Sequence, residues 1–277
     1  MCTMLIPING IELWVEDHGP TDGAPMLLLS GSDATTLRWP STLIEPLVAA
    51  GRRVIAYDHR DSGASTKIDP DMAYRLDDLA GDALALLDAL AIARVHLVGF
   101  SMGGAVAQVV ALDEPSRVQR LTLVASTPGL GDERLPFAAD WFVERMAERM
   151  FAPPPCSDDE RINWIVDLYR MLAGTRYAFD EPAQREVAKA ELARAWCPES
   201  GHGIAVGAAG PRIDVLGRIV APTLVVHGTV DPVFSIEHGR ALAEGLADAT
   251  LTVVEGLGHE VPAAFGAELA ALILRRE

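Results

Sequence analysis

Val95-His96-Leu97-Val98-Gly99-Phe100-Ser101-Met102-Gly103-Gly104 is the stretch on which the reading of this chain turns. Its first half, 95–99, is a short and largely apolar run closed by Gly, the form of a strand buried on both faces. Its second half opens the segment 102–112, where apolar residues recur at helical spacing. Between them stands Gly99-Phe100-Ser101-Met102-Gly103, a G-x-S-x-G at a strand-to-helix turn. Such a turn is too sharp for side chains on either side of the Ser, and it lifts the hydroxyl to a helix N-terminus above the sheet. An isolated match carries little weight, but one with a strand before, a helix after and Gly104 extending the small-residue patch makes Ser101 a candidate nucleophile.

Further apolar runs at 11–16, 26–29, 54–57, 121–124, 223–227 and 250–254 read as strands, and 76–90 reads as a helix that Gly81 only weakens. Strands alternating with helices predict a mostly parallel sheet flanked by helices. The pattern changes over 130–212, where strand-like runs vanish and three helical stretches are expected. Two have recognisable starts: Ser157-Asp158-Asp159-Glu160 is a capping box, and Asp180 stands as N-cap ahead of Pro182. The expected organisation is therefore a core of 1–129 and 213–277 carrying a helical cap, 130–212.

A serine hydroxyl needs a base as it attacks, and that base needs a carboxylate to orient it. In a strand-turn-helix setting of this kind the order is Ser, acid, His. Asp231 follows the strand 223–227 in a turn, and His259 follows the strand 250–254, so both arrive at the sheet edge that carries Ser101. The rival acids are Asp132 and Glu255, neither in a comparable turn. Among the other histidines, His59 and His202 are the two placed to line a pocket. Attack on a carbonyl also creates an oxyanion, for which each aligned backbone donor is worth on the order of 3 kcal/mol. The amide of Met102 and, from the turn Ser30-Gly31-Ser32, the amide of Ser32 are the expected pair.

Nine of the sixteen aromatic residues fall in 130–212, under a third of the chain. Phe137, Trp141, Trp164 and Tyr177 are the candidate substrate-binding residues if these rings line an apolar pocket. The plainer alternative is that a thin helical layer needs large side chains to bury enough area.

At these residues the chain resembles the α/β-hydrolase superfamily, and within it the aclacinomycin methylesterase group of polyketide-tailoring esterases. The resemblance rests on Gly31-Ser32 with Trp39-Pro40, on Tyr57-Asp58-His59-Arg60-Asp61-Ser62-Gly63-Ala64-Ser65, on Ser101-Met102-Gly103, and on Pro222-Thr223-Leu224 leading to Asp231-Pro232. It implies an α/β-hydrolase fold and a serine esterase with Ser101 as nucleophile, Asp231 as orienting acid and His259 as base. It also implies an oxyanion hole of Ser32 and Met102 and no metal or other cofactor; the expected substrate is a small-molecule ester that is bulky and hydrophobic, such as a polycyclic methyl ester. The chain departs from many relatives in having Ser30 where a His is common and Asp61 where a Gly is common. Other activities on the same residues are C–C bond hydrolysis and cofactor-free perhydrolysis. A ligand receptor is the non-enzymatic alternative, against which the complete residue set argues.

The net charge of −16 repels nucleic acid and anionic membranes, so neither is an expected partner. Cys2, Cys156 and Cys197 are too few and too scattered for a disulfide framework or a metal site. With no basic and apolar leader at the start and no long apolar run, a cytoplasmic location is expected.

Overall fold

The computed structural model describes residues 2–197 and 200–275. Its centre is an eight-stranded sheet in the order β1-β2-β4-β3-β5-β6-β7-β8. The strands are β1 (Cys2–Ile8), β2 (Ile11–His18), β3 (Ala24–Leu29), β4 (Arg52–Tyr57), β5 (Val95–Phe100), β6 (Val118–Val124), β7 (Thr223–Gly228) and β8 (Ala249–Val254). From β4 to β8 every neighbouring pair is parallel, while β1 and β2 form an antiparallel hairpin at the other edge. The sequence reading missed β1. Its signal was the Asn9-Gly10 turn, whose φ angles of 47° and 80° suit a two-residue hairpin loop.

Side-chain alternation along the central strands builds two cores. Leu27, Leu29, Ile55 and Tyr57 face α2 (Leu76–Ala89) and α3 (Met102–Asp113), whereas Met26, Leu28, Val54 and Ala56 face α1 (Ser41–Ala49) and α9 (Ala263–Arg275). The remaining core helix, α8 (Ile236–Gly245), joins the first of these layers through Leu242.

Between β6 and β7 the described residues form helices and no strand: α4 (Asp140–Phe151), α5 (Asp158–Leu172), α6 (Glu181–Arg194) and α7 (His202–Ala208). That is one helix more than the three expected, because the Gly-rich α7 carries almost no periodic pattern. The Ser157–Glu160 capping box and the Asp180 N-cap are both made. Among the described residues, no helix is long and apolar enough to cross a membrane.

The helix α6 is tied to the core by charge. The guanidinium of Arg194 donates to Thr36 Oγ1 at 2.6 Å, to Asp58 Oδ2 at 3.2 Å and to Glu16 Oε1 at 3.0 Å. Burial pushes the Asp58 carboxyl upward, against amide donors and Arg194 that favour its anion. Removing one partner of a buried ion pair strands the other charge, at a cost of about 3–5 kcal/mol. Arg194→Ala is accordingly expected to lose stability on that scale in denaturant titration; a change under about 1 kcal/mol would show that the tie contributes little.

Candidate active site

The sheet order reverses around β3: the chain runs from β3 to β4 on one side and later places β5 on the other. Ligands bind outside the strand carboxyl ends at such a reversal. Here Leu29 pairs with Gly99, so the loop after β3 and the turn after β5 leave the sheet side by side.

Ser101 occupies that turn with φ 54° and ψ −119°, a sparsely populated conformation that costs on the order of 1–3 kcal/mol. The strain is held by its own N–H donating to Val124 O at 2.9 Å and by Ser126 Oγ donating to its carbonyl at 2.9 Å. A side chain at Gly103 would run into the Leu29 carbonyl, which is why the second motif glycine is required.

Ser101 Oγ lies 2.9 Å from His259 Nε2, and His259 Nδ1 lies 2.8 Å from Asp231 Oδ2. The other carboxylate oxygen of Asp231 accepts the amides of Val233 and Phe234, both at 2.8 Å. Burial raises the Asp231 pKa, but the attraction and hydrogen bond of His259 outweigh it, so the net shift is downward and the group is a carboxylate. A second imidazole, His227, stands 3.6 Å from Asp231 and donates to the Phe234 carbonyl at 2.7 Å; burial holds its pKa down. The His259 backbone is fixed from the helices between β6 and β7, where the carbonyl of Leu172, at the end of α5, accepts the His259 N–H at 2.8 Å. Next to it, the Gly174 N–H donates to Glu260 Oε1 at 2.7 Å.

The rival acid Asp132 pairs with Arg134 at 2.6 Å and has no bond to His259. Neither His59 nor His202 borders a cavity at Ser101. Both are fully buried, with ring centres 6.0 Å apart, and burial pushes His59 down to about 3.

Two cavities divide the site. The larger, about 440 Å³, is bordered by Ser101, Ser32 and Met102 and walled by apolar groups including Leu130, Leu135, Phe137, Val206 and Phe234. The smaller, about 60 Å³, is bordered by His259, Phe100, Trp39, Tyr169 and Arg38. Of the four aromatic residues expected to bind substrate, Phe137 alone borders either one.

Trp141 is 49% exposed and packs edge-on against Phe142, Trp164 lies under Arg149 at 4.0 Å, and Tyr177 bonds Glu268 at 3.1 Å and packs against Phe265. All three rings are engaged in packing contacts in the structure. Of the three, Trp164 is covered by an arginine, a contact invisible in a count of rings. The aromatic walls that sequence reasoning missed are Tyr169, Trp39, Phe100 and Phe234. The last three lie in the core rather than the insertion and were readable only as neighbours of the Ser30, Ser101 and Asp231 turns. Among the described residues, no group of three or more His, Cys, Asp or Glu could hold a metal ion.

Comparison with known proteins agrees with this architecture. A model of the alpha/beta hydrolase fold matches residues 24–262. The chain is 33% identical to rhodomycin D methylesterase of Streptomyces peucetius across 291 aligned positions, covering 99% of this chain and 97% of that one. It is 30% identical to a non-heme chloroperoxidase of Streptomyces lividans over 268 positions, 91% and 90% of the two chains. A crystal structure of a hydrolase from Pseudomonas aeruginosa superposes with a TM-score of 0.78 at 26% identity, covering 99% of this chain and 97% of that one. With the matched family model, the near full-length relatives and the shared sheet, this chain belongs to the α/β-hydrolase family.

Proposed function

We propose that this protein is a serine-dependent carboxylic ester hydrolase acting through an acyl-enzyme, with residues 130–212 serving as a cap over the site. The observation that carries the proposal is the unbroken hydrogen-bonded chain from Ser101 through His259 to Asp231. Ser101 Oγ attacks the ester carbonyl as His259 Nε2 takes its proton, and Asp231 stabilises the imidazolium that forms. The amides of Ser32 and Met102 receive the oxyanion. His259 then returns the proton to the departing alkoxide. A water, deprotonated by the same imidazole, releases the acid.

The two cavities support a placement for each half of the ester. The imidazole that must protonate the alkoxide borders the small cavity, and the expected oxyanion donors border the large one. A site needs about 10–15 Å³ to hold one water, so the small cavity has room for about four to six water-sized groups, enough for a short alkoxy group and far less than the large cavity offers. The bulky apolar acyl group then occupies the large cavity, where contact with Phe137 and its neighbours gains roughly 25 cal/mol per Å² removed from water.

The test is kcat/KM for methyl and n-butyl esters of one large aromatic acid and for methyl acetate. Steric discrimination of a few methylenes is expected to favour the methyl over the butyl ester by about tenfold or more. The large acid should exceed acetate, and Tyr169→Ala should narrow the methyl-to-butyl ratio. Equal rates for all three substrates would overturn the assignment of the cavities. Cleavage of a vinylogous diketone or peroxide-dependent oxidation with no ester hydrolysis would displace the reaction itself.

A further inference from the structure

The loop that carries the Ser32 amide is not held by the core alone. Three residues along it, Asp33, Thr35 and Thr36, are each gripped by a side chain from the helical insertion. His202 Nδ1, at the start of α7, lies 3.0 Å from the Asp33 amide nitrogen and 3.0 Å from its Oδ1. Unprotonated, that nitrogen accepts from the amide; protonated, it donates to the carboxylate. Thr35 Oγ1 donates to Glu191 Oε1 at 2.9 Å, and Arg194 reaches Thr36 Oγ1 at 2.6 Å, both from α6. Every one of these contacts spans more than 150 residues of sequence.

The loop needs such a grip. Asp33 has φ 60°, the left-handed region that a residue with a side chain enters at a cost and keeps only when its surroundings over-determine it. Its neighbour in sequence is Ser32, whose own N–H is the proposed oxyanion donor. The Ser32 N–H lies in the Gly31–Ser32 peptide, joined through the single φ/ψ pair of Ser32 to the peptide whose N–H His202 holds, so a shift at Asp33 is passed to the donor through those two dihedrals.

The grip is itself anchored. The Ser200 hydroxyl bonds the Asp33 carboxylate, and the Gly201 N–H donates to Asp61 Oδ2 at 3.1 Å. The His202 side chain is fully buried, packed at 6.0 Å from His59 and 6.1 Å from Tyr74, and its Nε2 has no hydrogen-bond partner among the described residues. All of its directed bonding is spent on Asp33. The opposite consequence also follows: α7 carries Gly203 and Val206 on the wall of the large cavity, so the helix that touches the acyl group is the helix that holds the oxyanion loop.

We propose that the insertion positions the oxyanion loop as well as enclosing the substrate, and that His202 is the positioning residue nearest the reacting atoms. This rests on the esterase reading for its catalytic consequence, but its structural half can be tested separately. Asn places a polar atom where His has Nδ1, and Gln places one where His has Nε2, with little difference in volume between the two variants. His202→Asn and His202→Gln are therefore compared in the full-length protein by steady-state kinetics on a large aryl methyl ester, by thermal unfolding, and by hydrogen–deuterium exchange over residues 30–36.

The expected result is that His202→Asn keeps the exchange protection of the loop and stays within about fivefold of wild-type kcat. His202→Gln is expected to lose both, with kcat down by about 10²-fold, the scale of a misplaced catalytic group, and KM within about threefold. Faster loop exchange in His202→Gln but not in His202→Asn supports the positioning role whether or not the wild type hydrolyses that ester; a wild type with no turnover would count against the esterase reading alone. Equal loop exchange in the two variants, or a loss carried by KM or tracking Tm in both, would overturn it.

Discussion

Ser101→Ala is expected to lower kcat for ester hydrolysis by about a million-fold, the scale on which removal of the nucleophile collapses a Ser-His-Asp unit. The loss is this large because the hydroxyl at 2.9 Å is the group whose proton His259 Nε2 is placed to take, and it is the atom that forms the covalent bond. The fold should persist. Ser101 makes its structural bonds through backbone atoms, its N–H to Val124 and its carbonyl from Ser126 Oγ, and Ala keeps both. The strained φ of 54° is equally uncomfortable for Ala, so unfolding stability should change by less than about 1 kcal/mol. Initial rates on purified variant, thermal unfolding and labelling by a fluorophosphonate provide the check. Turnover within tenfold of wild type, with contamination excluded, would remove Ser101 from the mechanism.

Asp231→Asn should cost about 10⁴-fold in kcat, since an amide facing His259 Nδ1 favours the wrong tautomer and cannot stabilise the imidazolium. Asp132→Asn, whose wild-type carboxylate is engaged with Arg134 instead, is the control and should leave kcat within a few-fold. If Asp132→Asn proved the more damaging change, the orienting acid would have to move. Asp231 also makes a prediction about pH. Its pKa in the folded chain is depressed, the opposing effect of burial being outweighed chiefly by His259. A carboxyl whose folded pKa is lowered stabilises the fold fully above its unfolded value, near about 3.9, and loses that contribution as pH falls through the lower folded value. Acid titration of unfolding stability should therefore show Asp231→Asn and wild type converging at the acid end, with the gap between them constant above about pH 5. A gap that widened on acidification would contradict the depressed pKa.

The catalytic candidates were legible because each lies in a turn whose chemistry is local. Gly99 and Gly103 around Ser101 announce a turn with no room for side chains, and Asp231 and His259 each follow an apolar run that could only be a strand. A parallel sheet forces the carboxyl ends of those runs to one edge, so three residues spread over 158 positions were expected at one place, and the structure brings them within 2.9 Å of one another along the relay. The capping box at Ser157–Glu160 was readable for the same reason, its hydrogen bonds closing within four residues.

Local patterns were enough for the alternation of most core strands and helices, the sheet edge that carries chemistry, and the identity of nucleophile, acid and base candidates, because short-range sterics and strand periodicity act within a few residues; β1 and α7, whose signals are weaker, escaped them. Where the aromatic rings between β6 and β7 point, and what holds the loop after β3, follow from packing between distant segments. Trp164 is turned from the site by Arg149 on another helix, and Tyr177 by Phe265 and Glu268 near the chain's end, while Tyr169 reaches the small cavity stacked on Arg38. His202, Glu191 and Arg194 meet residues 33–36 from more than 150 positions away. No periodicity or spacing encodes such pairings, since the burial that selects a partner for a charged or aromatic group exists only once the helices have packed.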